Sequence, residues 1–137
     1  MRSLVADDSP IVRILLKRML SQYGDCDEAR DGREAVIAFM RRVDEKNPYD
    51  LICLDLQMPV VDGIKVLETI RQAEKEQQLK RARVLVVTAE ADIGRVKSAV
   101  ELGADGYLVK PISHQTLADR LAALVPELVS FLPAPKK

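Results

Sequence analysis

Histidine and cysteine are scarce in this chain of 137 residues, which holds one histidine, His114, and two cysteines, Cys26 and Cys53. They give no cluster for a soft metal, and a zinc centre is excluded because it takes several nitrogen or sulfur ligands. His114 is expected to lie exposed in the first turn of the last helix. Cys26 and Cys53 lack CxxC spacing, and Cys53 sits inside an apolar run, so a reduced, buried thiol in a cytoplasmic protein is expected. An excess of charge of either sign is also missing, since 21 Lys and Arg balance 21 Asp and Glu. No net field therefore favours nucleic acid or an anionic membrane. No apolar run approaches the ~20 residues that span a bilayer. The N-terminus Met1-Arg2-Ser3-Leu4 runs into a strand without a signal peptide's apolar region. Internal repeats and low-complexity segments are absent as well. What is present, 47% hydrophobic and 31% charged residues, suits one domain with a real core and a polar surface.

The stretch Tyr49-Asp50-Leu51-Ile52-Cys53-Leu54-Asp55-Leu56-Gln57-Met58-Pro59 organises the rest. Leu51 to Leu54 is apolar without alternation, as in a strand covered on both faces at the centre of a parallel sheet. Asp55 follows at the strand's C-terminal end, where open α/β sheets place their ligand crevice. Met58-Pro59 stops the strand, because Pro has no N–H for the ladder and holds its predecessor extended. Asp62-Gly63 then offers a turn or a helix cap.

In chain order, Ser3 to Ala6 reads as a first strand ending in Asp7-Asp8. Ser9-Pro10 supplies helix-start chemistry, and Ile11, Val12, Leu15, Leu16, Met19 and Leu20 recur at helical spacing. Tyr23-Gly24 closes that helix. A weak strand spans Asp25 to Ala29, Asp31-Gly32 reads as a turn, and Ala35, Val36, Phe39 and Met40 mark a second helix broken by Asn47-Pro48. After Gly63, residues Ile64, Leu67 and Ile70 continue helically into Arg71 to Arg83, a polar stretch expected to be a solvated helix end and loop. Val84 to Val87 is a buried strand ending at Thr88-Ala89. Ile93, Val96, Ala99 and Val100 place a helix that stops at Leu102-Gly103. Tyr107 to Val109 is a last strand before Lys110-Pro111, and Leu117, Leu121, Leu124 and Val125 form the final helix. The expected division is a domain over residues 1–125 and a tail or linker stub over 126–137.

Strand and helix thus alternate five times. That pattern implies an α/β fold, a doubly wound parallel sheet with helices on both faces, because right-handed crossovers place them there. The ends of four strands, Asp7-Asp8, Asp55, Thr88 and Lys110, would then meet on one edge. Crowded carboxylates repel and raise one another's pKa, a conflict that a hard divalent cation such as Mg²⁺ removes. A carboxylate beside Mg²⁺ can act as a nucleophile and form an aspartyl-phosphate. Lys110 and Thr88 would supply the cation and the hydroxyl donor that a phosphoryl group needs.

These residues carry a family resemblance. Asp7-Asp8 after the first strand, Asp55 with Met58-Pro59 and Asp62-Gly63, Val87-Thr88-Ala89, and the run Gly103 to Pro111 resemble a response-regulator receiver domain of two-component signalling, similar to the single-domain chemotaxis regulators. The resemblance implies a flavodoxin-like five-stranded sheet of order 2-1-3-4-5. It makes Asp55 the phosphoacceptor, served by a histidine kinase or phosphotransfer protein, with Asp7, Asp8, Asp55 and the Gln57 carbonyl as Mg²⁺ ligands. Lys110 would pair with the phosphoryl oxygens, with a cis bond before Pro111. Thr88 and Tyr107 would form the switch, reshaping the surface of the fourth helix, fifth strand and fifth helix. Gln57 and Glu90 would tune hydrolysis of the phosphate. The chain is thereby expected to be a signalling domain and no enzyme beyond its own phosphorylation and dephosphorylation. Its output would run through an unidentified protein target, as a monomer or a phosphorylation-dependent dimer, without nucleic acid or membrane. The stretch Gln72 to Arg83 is a few residues longer than the family's usual one.

Two other readings compete. An interaction module could keep this fold without taking phosphate. A haloacid-dehalogenase-like phosphatase also uses a strand-end Asp, but wants a second acid where this chain has Gln57. Dinucleotide binding fails, because Gly103-Ala104-Asp105-Gly106 precedes a strand instead of linking a strand to a helix.

Overall fold

The structure is a computed structural model that describes residues 1–126. Its elements run β1 (Ser3–Ala6), α1 (Pro10–Leu20), β2 (Cys26–Ala29), α2 (Gly32–Asp44), β3 (Leu51–Leu54), α3 (Gly63–Gln77), β4 (Arg83–Thr88), α4 (Val96–Glu101), β5 (Gly106–Val109) and α5 (His114–Leu124). The strands form one sheet in the order β2-β1-β3-β4-β5, and every pairing is parallel. This is the expected doubly wound architecture. Residues 127–137, most of the expected tail, lie outside the described residues.

Alternation along the strands divides the core in two. Leu4, Ala6, Ile52, Leu54, Val84 and Val86 face one side, where Phe39 of α2, Leu67 and Ile70 of α3 and Ala99 of α4 cover them. Val5, Leu51, Cys53, Leu85, Val87 and Leu108 face the other, under Leu16 and Leu20 of α1 and Leu117 and Leu121 of α5. Because β1, β3 and β4 are covered on both faces, their sequences read as apolar runs. Cys26 and Cys53 are free, buried thiols within this second layer.

Each long helix starts on a side-chain cap. Ser9 accepts from the Val12 N–H, Asp31 from Glu34, Asp62 from Ile64, and Ser113 exchanges bonds with Thr116 in a capping box. Asp31-Gly32 is therefore a helix start and not a free turn. The fourth helix is shorter than its apolar spacing suggests. Residues Glu90–Arg95 wind as a 3-10 helix and only Val96–Glu101 is α-helical. Val96 and Ala99 point inward, whereas Ile93 and Val100 are exposed. Ile11 likewise leaves the apolar face of α1 and is 78% exposed.

The stretch Arg71 to Arg83 departs most from expectation. Helix α3 continues through its first half, and Ala73, Glu74 and Ala82 are buried. The Arg71 guanidinium donates to the Gly103 carbonyl at 2.8 and 3.1 Å, to the Ala82 carbonyl at 2.8 Å, to Glu74 at 2.6 Å and to Asp105 at 3.1 Å. Glu74 in turn accepts from the Ala82 N–H, and Asp105 from the Val84 N–H. A charged network thus ties α3, the start of β4 and the turn before β5 together. Hydropathy could not show this, because a paired buried arginine looks like a surface one in sequence.

Removing Arg71 would leave buried Glu74 without its cation and take a donor from the Ala82 carbonyl, while the Gly103 carbonyl would keep Arg81 at 2.8 Å. Arg71→Ala is expected to lower unfolding free energy by about 2–4 kcal/mol in urea denaturation. Arg81→Ala, which removes a more exposed partner of Asp105, is expected to change it by about 1 kcal/mol or less. A loss below about 1 kcal/mol in Arg71→Ala would mean that the buried part of the network adds little to the fold.

Candidate functional site

Register brings the acids together. Ala6 of β1 pairs with Leu54 of β3, so Asp7 and Asp55, each one residue further on, emerge side by side. The Asp55 N–H bonds to the Ala6 carbonyl at 2.9 Å and the Asp7 N–H to the Ala29 carbonyl at 3.1 Å, which fixes both backbones to the sheet. Asp7 and Asp55 are buried, at 1% and 4% exposure, while Asp8 is exposed. Oxygens of the three carboxylates lie within 4.8 Å of one another.

Lys110 reaches the same point from the end of β5. Its Nζ stands 2.9 Å from Asp7 Oδ2 and 3.3 Å from Asp55 Oδ2. The Lys110 N–H donates to the Thr88 carbonyl at 2.8 Å, and the Lys110–Pro111 peptide is cis. Burial alone would lower the Lys110 ammonium, but its contacts with Asp7 and Asp55 outweigh that and leave it above its ordinary value. Asp55 is pushed up to about 6, first by burial and then by the charge of Asp7, with Lys110 opposing both.

The loop after Asp55 is built to close tolerances. The Gln57 N–H donates to Asp55 Oδ1 at 3.2 Å, and the Gly63 N–H to the Leu56 carbonyl at 2.9 Å. A Cβ at Gly63 would stand 2.0 Å from the Asp55 carbonyl oxygen, so only glycine lets α3 start this close. Between them Val60 adopts φ +70° while Val61 N–H bonds back to Pro59. That positive φ is strained for a β-branched residue. No local signal in the sequence marks it.

The remaining expected residues take different places. Thr88 is wholly buried at the end of β4, and its hydroxyl donates to the Ala89 carbonyl at 3.4 Å. Gln57 is exposed beside Asp55. Glu90 opens the 3-10 turn, and its side chain lies outside the described residues. Tyr107 is turned outward, 38% exposed, with the Arg120 guanidinium 5.7 Å above its ring. His114 is exposed at the start of α5. Two arginines were not anticipated. Arg13 donates to the Asp7 carbonyl at 2.8 Å, and Arg95 binds both oxygens of Asp62 at 2.5 and 2.6 Å. Arg13 lies on α1 close behind Asp7, but the partners of Arg95 are more than thirty residues away in sequence, beyond any local pattern.

A family model described as the response regulator receiver domain matches residues 4–122. The chain belongs to this family. Chemotaxis protein CheY-3 of Vibrio cholerae is 34% identical over 123 residues, covering 88% of this chain and 88% of that protein. The peroxide stress-activated histidine kinase mak3 of Schizosaccharomyces pombe is 34% identical over 119 residues, 86% of this chain but 5% of the kinase. The chain thus spans most of one relative and a small fraction of the other. Among solved structures, the CheX-CheY-BeF3-Mg²⁺ complex of Borrelia burgdorferi matches with a TM-score of 0.77 and 30% identity, over 90% of this chain and 87% of that one. The receiver domain here is accordingly a two-component signalling domain of the CheY-like kind. No described helix is long and apolar enough to cross a membrane.

The acid cluster suits a hard divalent cation. Its donors are all carboxylate oxygens, and Asp7 Oδ2 is buried beside Lys110 without accepting a well-formed hydrogen bond. Such an oxygen is available to a metal. The pH dependence follows from the charge conflict. Since the fold raises Asp55 above its ordinary value of about 4, its protonated form favours the folded state. That contribution is complete below about pH 4 and is lost as pH rises through about 6. In chelator, Asp55→Asn is expected to exceed the parent in stability by about 1–3 kcal/mol near pH 7.5. The gain should shrink towards pH 4, which thermal denaturation across pH would measure. A variant less stable than the parent at neutral pH would contradict this account.

Proposed function

We propose that Asp55 accepts a phosphoryl group from the phosphohistidine of a histidine kinase or a phosphotransfer protein. The observation that carries this is the single cation Lys110 between two buried carboxylates at the ends of adjacent strands. A structural ion pair needs one acid, whereas a phosphoryl site needs a nucleophilic acid, a second acid for the metal and a cation for the transferred oxygens. Asp7, Asp8, Asp55 and the Gln57 carbonyl would hold Mg²⁺. When bound, the ion would neutralise the acids and the incoming phosphoryl oxygens.

In the transfer, an Asp55 oxygen forms the new P–O bond as the P–N bond breaks and the imidazole departs. Lys110 would then move its contact to the phosphoryl oxygens. Thr88 would give up the Ala89 carbonyl and donate to the same group, and Tyr107 would turn inward with it. Its outward pose beneath Arg120 is the unmodified state in this reading. Exposed Gln57, together with Glu90, would set how readily water reaches the acyl phosphate. The surface of α4, β5 and α5 would then recruit a protein target or a second copy of the chain. The protein would act in the cytoplasm, with residues 1–125 as the receiver and 126–137 as a tail or linker.

Incubation with Mg²⁺ and acetyl phosphate is expected to add one phosphoryl group, detected by intact mass. Chelator and Asp55→Ala should each abolish it. A parent protein that gains no mass, or an Asp55→Ala variant that still does, would reject the proposal and favour a receiver-fold interaction module acting without phosphate.

A further inference from the structure

The segment between Thr88 and α4 is lightly held. Neither its 3-10 turn, Glu90–Arg95, nor the short helix after it has a side-chain cap. A Cβ at Gly94 would meet nothing within 4 Å, and Ile93 is exposed. Arg95, at the far end of the turn, reaches back across the site. Its Nη2 bonds to both oxygens of Asp62, and its Nη1 lies 3.5 Å from the carbonyl of Leu56, the residue after Asp55. Asp62 is itself rigid, because its Oδ1 caps α3 through the Ile64 N–H at 2.9 Å. One ion pair, made through a single guanidinium nitrogen, therefore ties a loosely packed segment to the loop that carries Asp55.

We propose that the Arg95–Asp62 pair is a latch, holding the segment after Thr88 in its unmodified conformation and releasing it when Asp55 is phosphorylated. The inference rests on Asp55 being the acceptor. A phosphoryl group at Asp55 places new negative charge beside Leu56, close to a guanidinium that already stands in the field of Asp62, Asp92 and Asp55. It also draws Thr88, at the other end of the segment, towards the site. Both pulls act against the same contact, so the strength of the pair sets how much of the population switches at a given occupancy. Since the pair is partly exposed, at 35% and 45% for the two side chains, its removal should shift that balance by about 3- to 10-fold.

The test uses the full chain with Arg95→Gln, Asp62→Asn and the double variant. Asparagine preserves the α3 cap, so the change is confined to the ion pair. Without ligand, amide exchange across residues 90–95 is expected to quicken about 3- to 10-fold in each single variant. The double variant should be no faster than either. Titration with beryllofluoride and Mg²⁺, followed through the Thr88 and Tyr107 amide resonances, should show affinity tighter by a similar factor in Asp62→Asn, which breaks the pair but keeps the Arg95 cation, with Mg²⁺ binding alone unchanged. Exchange equal to the parent's, or effects of the two single changes that add in the double, would overturn the latch. Normal beryllofluoride binding with unaltered affinity in Asp62→Asn would overturn it while leaving the acceptor intact. A parent that takes up no beryllofluoride would overturn the release step and the acceptor together.

Discussion

Two carboxylates forced side by side by sheet register set the character of this molecule. Asp7 and Asp55 follow a paired Ala6 and Leu54, and neither can move away without breaking a backbone bond to the sheet. Burial denies them the water that would screen their repulsion. Lys110 resolves part of the conflict, but one ammonium cannot neutralise three acids. The residual negative charge is what suits this edge of the sheet to bind a cation, and the cation in turn would make room for a phosphoryl group. Fold and chemistry are therefore linked through register: a shift of one residue in β3 against β1 would turn Asp55 towards the other face and abolish the cluster.

A strained backbone position lies at the same edge. The positive φ of Val60 and the contact distance that only glycine allows at 63 both belong to the loop after Asp55. Costs of about 1–3 kcal/mol for a strained residue persist only where the surroundings over-determine it. The opposite end of the sheet is held by a separate network. Arg71 and its partners lock the turn before β5 and the start of β4, so the strands that deliver Thr88 and Lys110 are anchored at their far ends. Movement at the site can then occur without the strands sliding.

Much of this was legible in the sequence because several independent patterns agreed. Apolar runs without alternation marked β3 and β4 as buried strands, and these and β1 each ended on a reactive residue. Asp7, Asp8, Asp55 and Lys110 could be placed together from topology alone, since parallel strands present their C-terminal ends on one edge. Arg71, Glu74 and Asp105 were illegible for the opposite reason. Charged residues near a helix end look solvated unless their partners are known, and those partners are distant in sequence. The fourth helix was misjudged because its spacing counted Ile93 and Val100 as core, although helical spacing does not reveal whether a neighbour exists to cover them. The Arg95–Asp62 contact and the Val60 backbone had no local signature at all.

The placement of Lys110 explains how charge at Asp55 can be felt at the surface. Its Nζ contacts the acids, its N–H holds the Thr88 carbonyl, and it follows directly on the short strand that carries Tyr107. A change in what Lys110 pairs with therefore acts on the junction of β4 and β5, the one place where both candidate switch residues are attached. Tyr107 is partly exposed, with the Arg120 guanidinium over its ring. Cation–π contacts at exposed sites are worth about 0.5–1 kcal/mol, well below the several kcal/mol of electrostatic change that a phosphoryl group brings to a desolvated site. Under the proposed function, a strongly charged event would thus act on a partly exposed residue, while the well-packed layers on either side of the sheet would stay as they are.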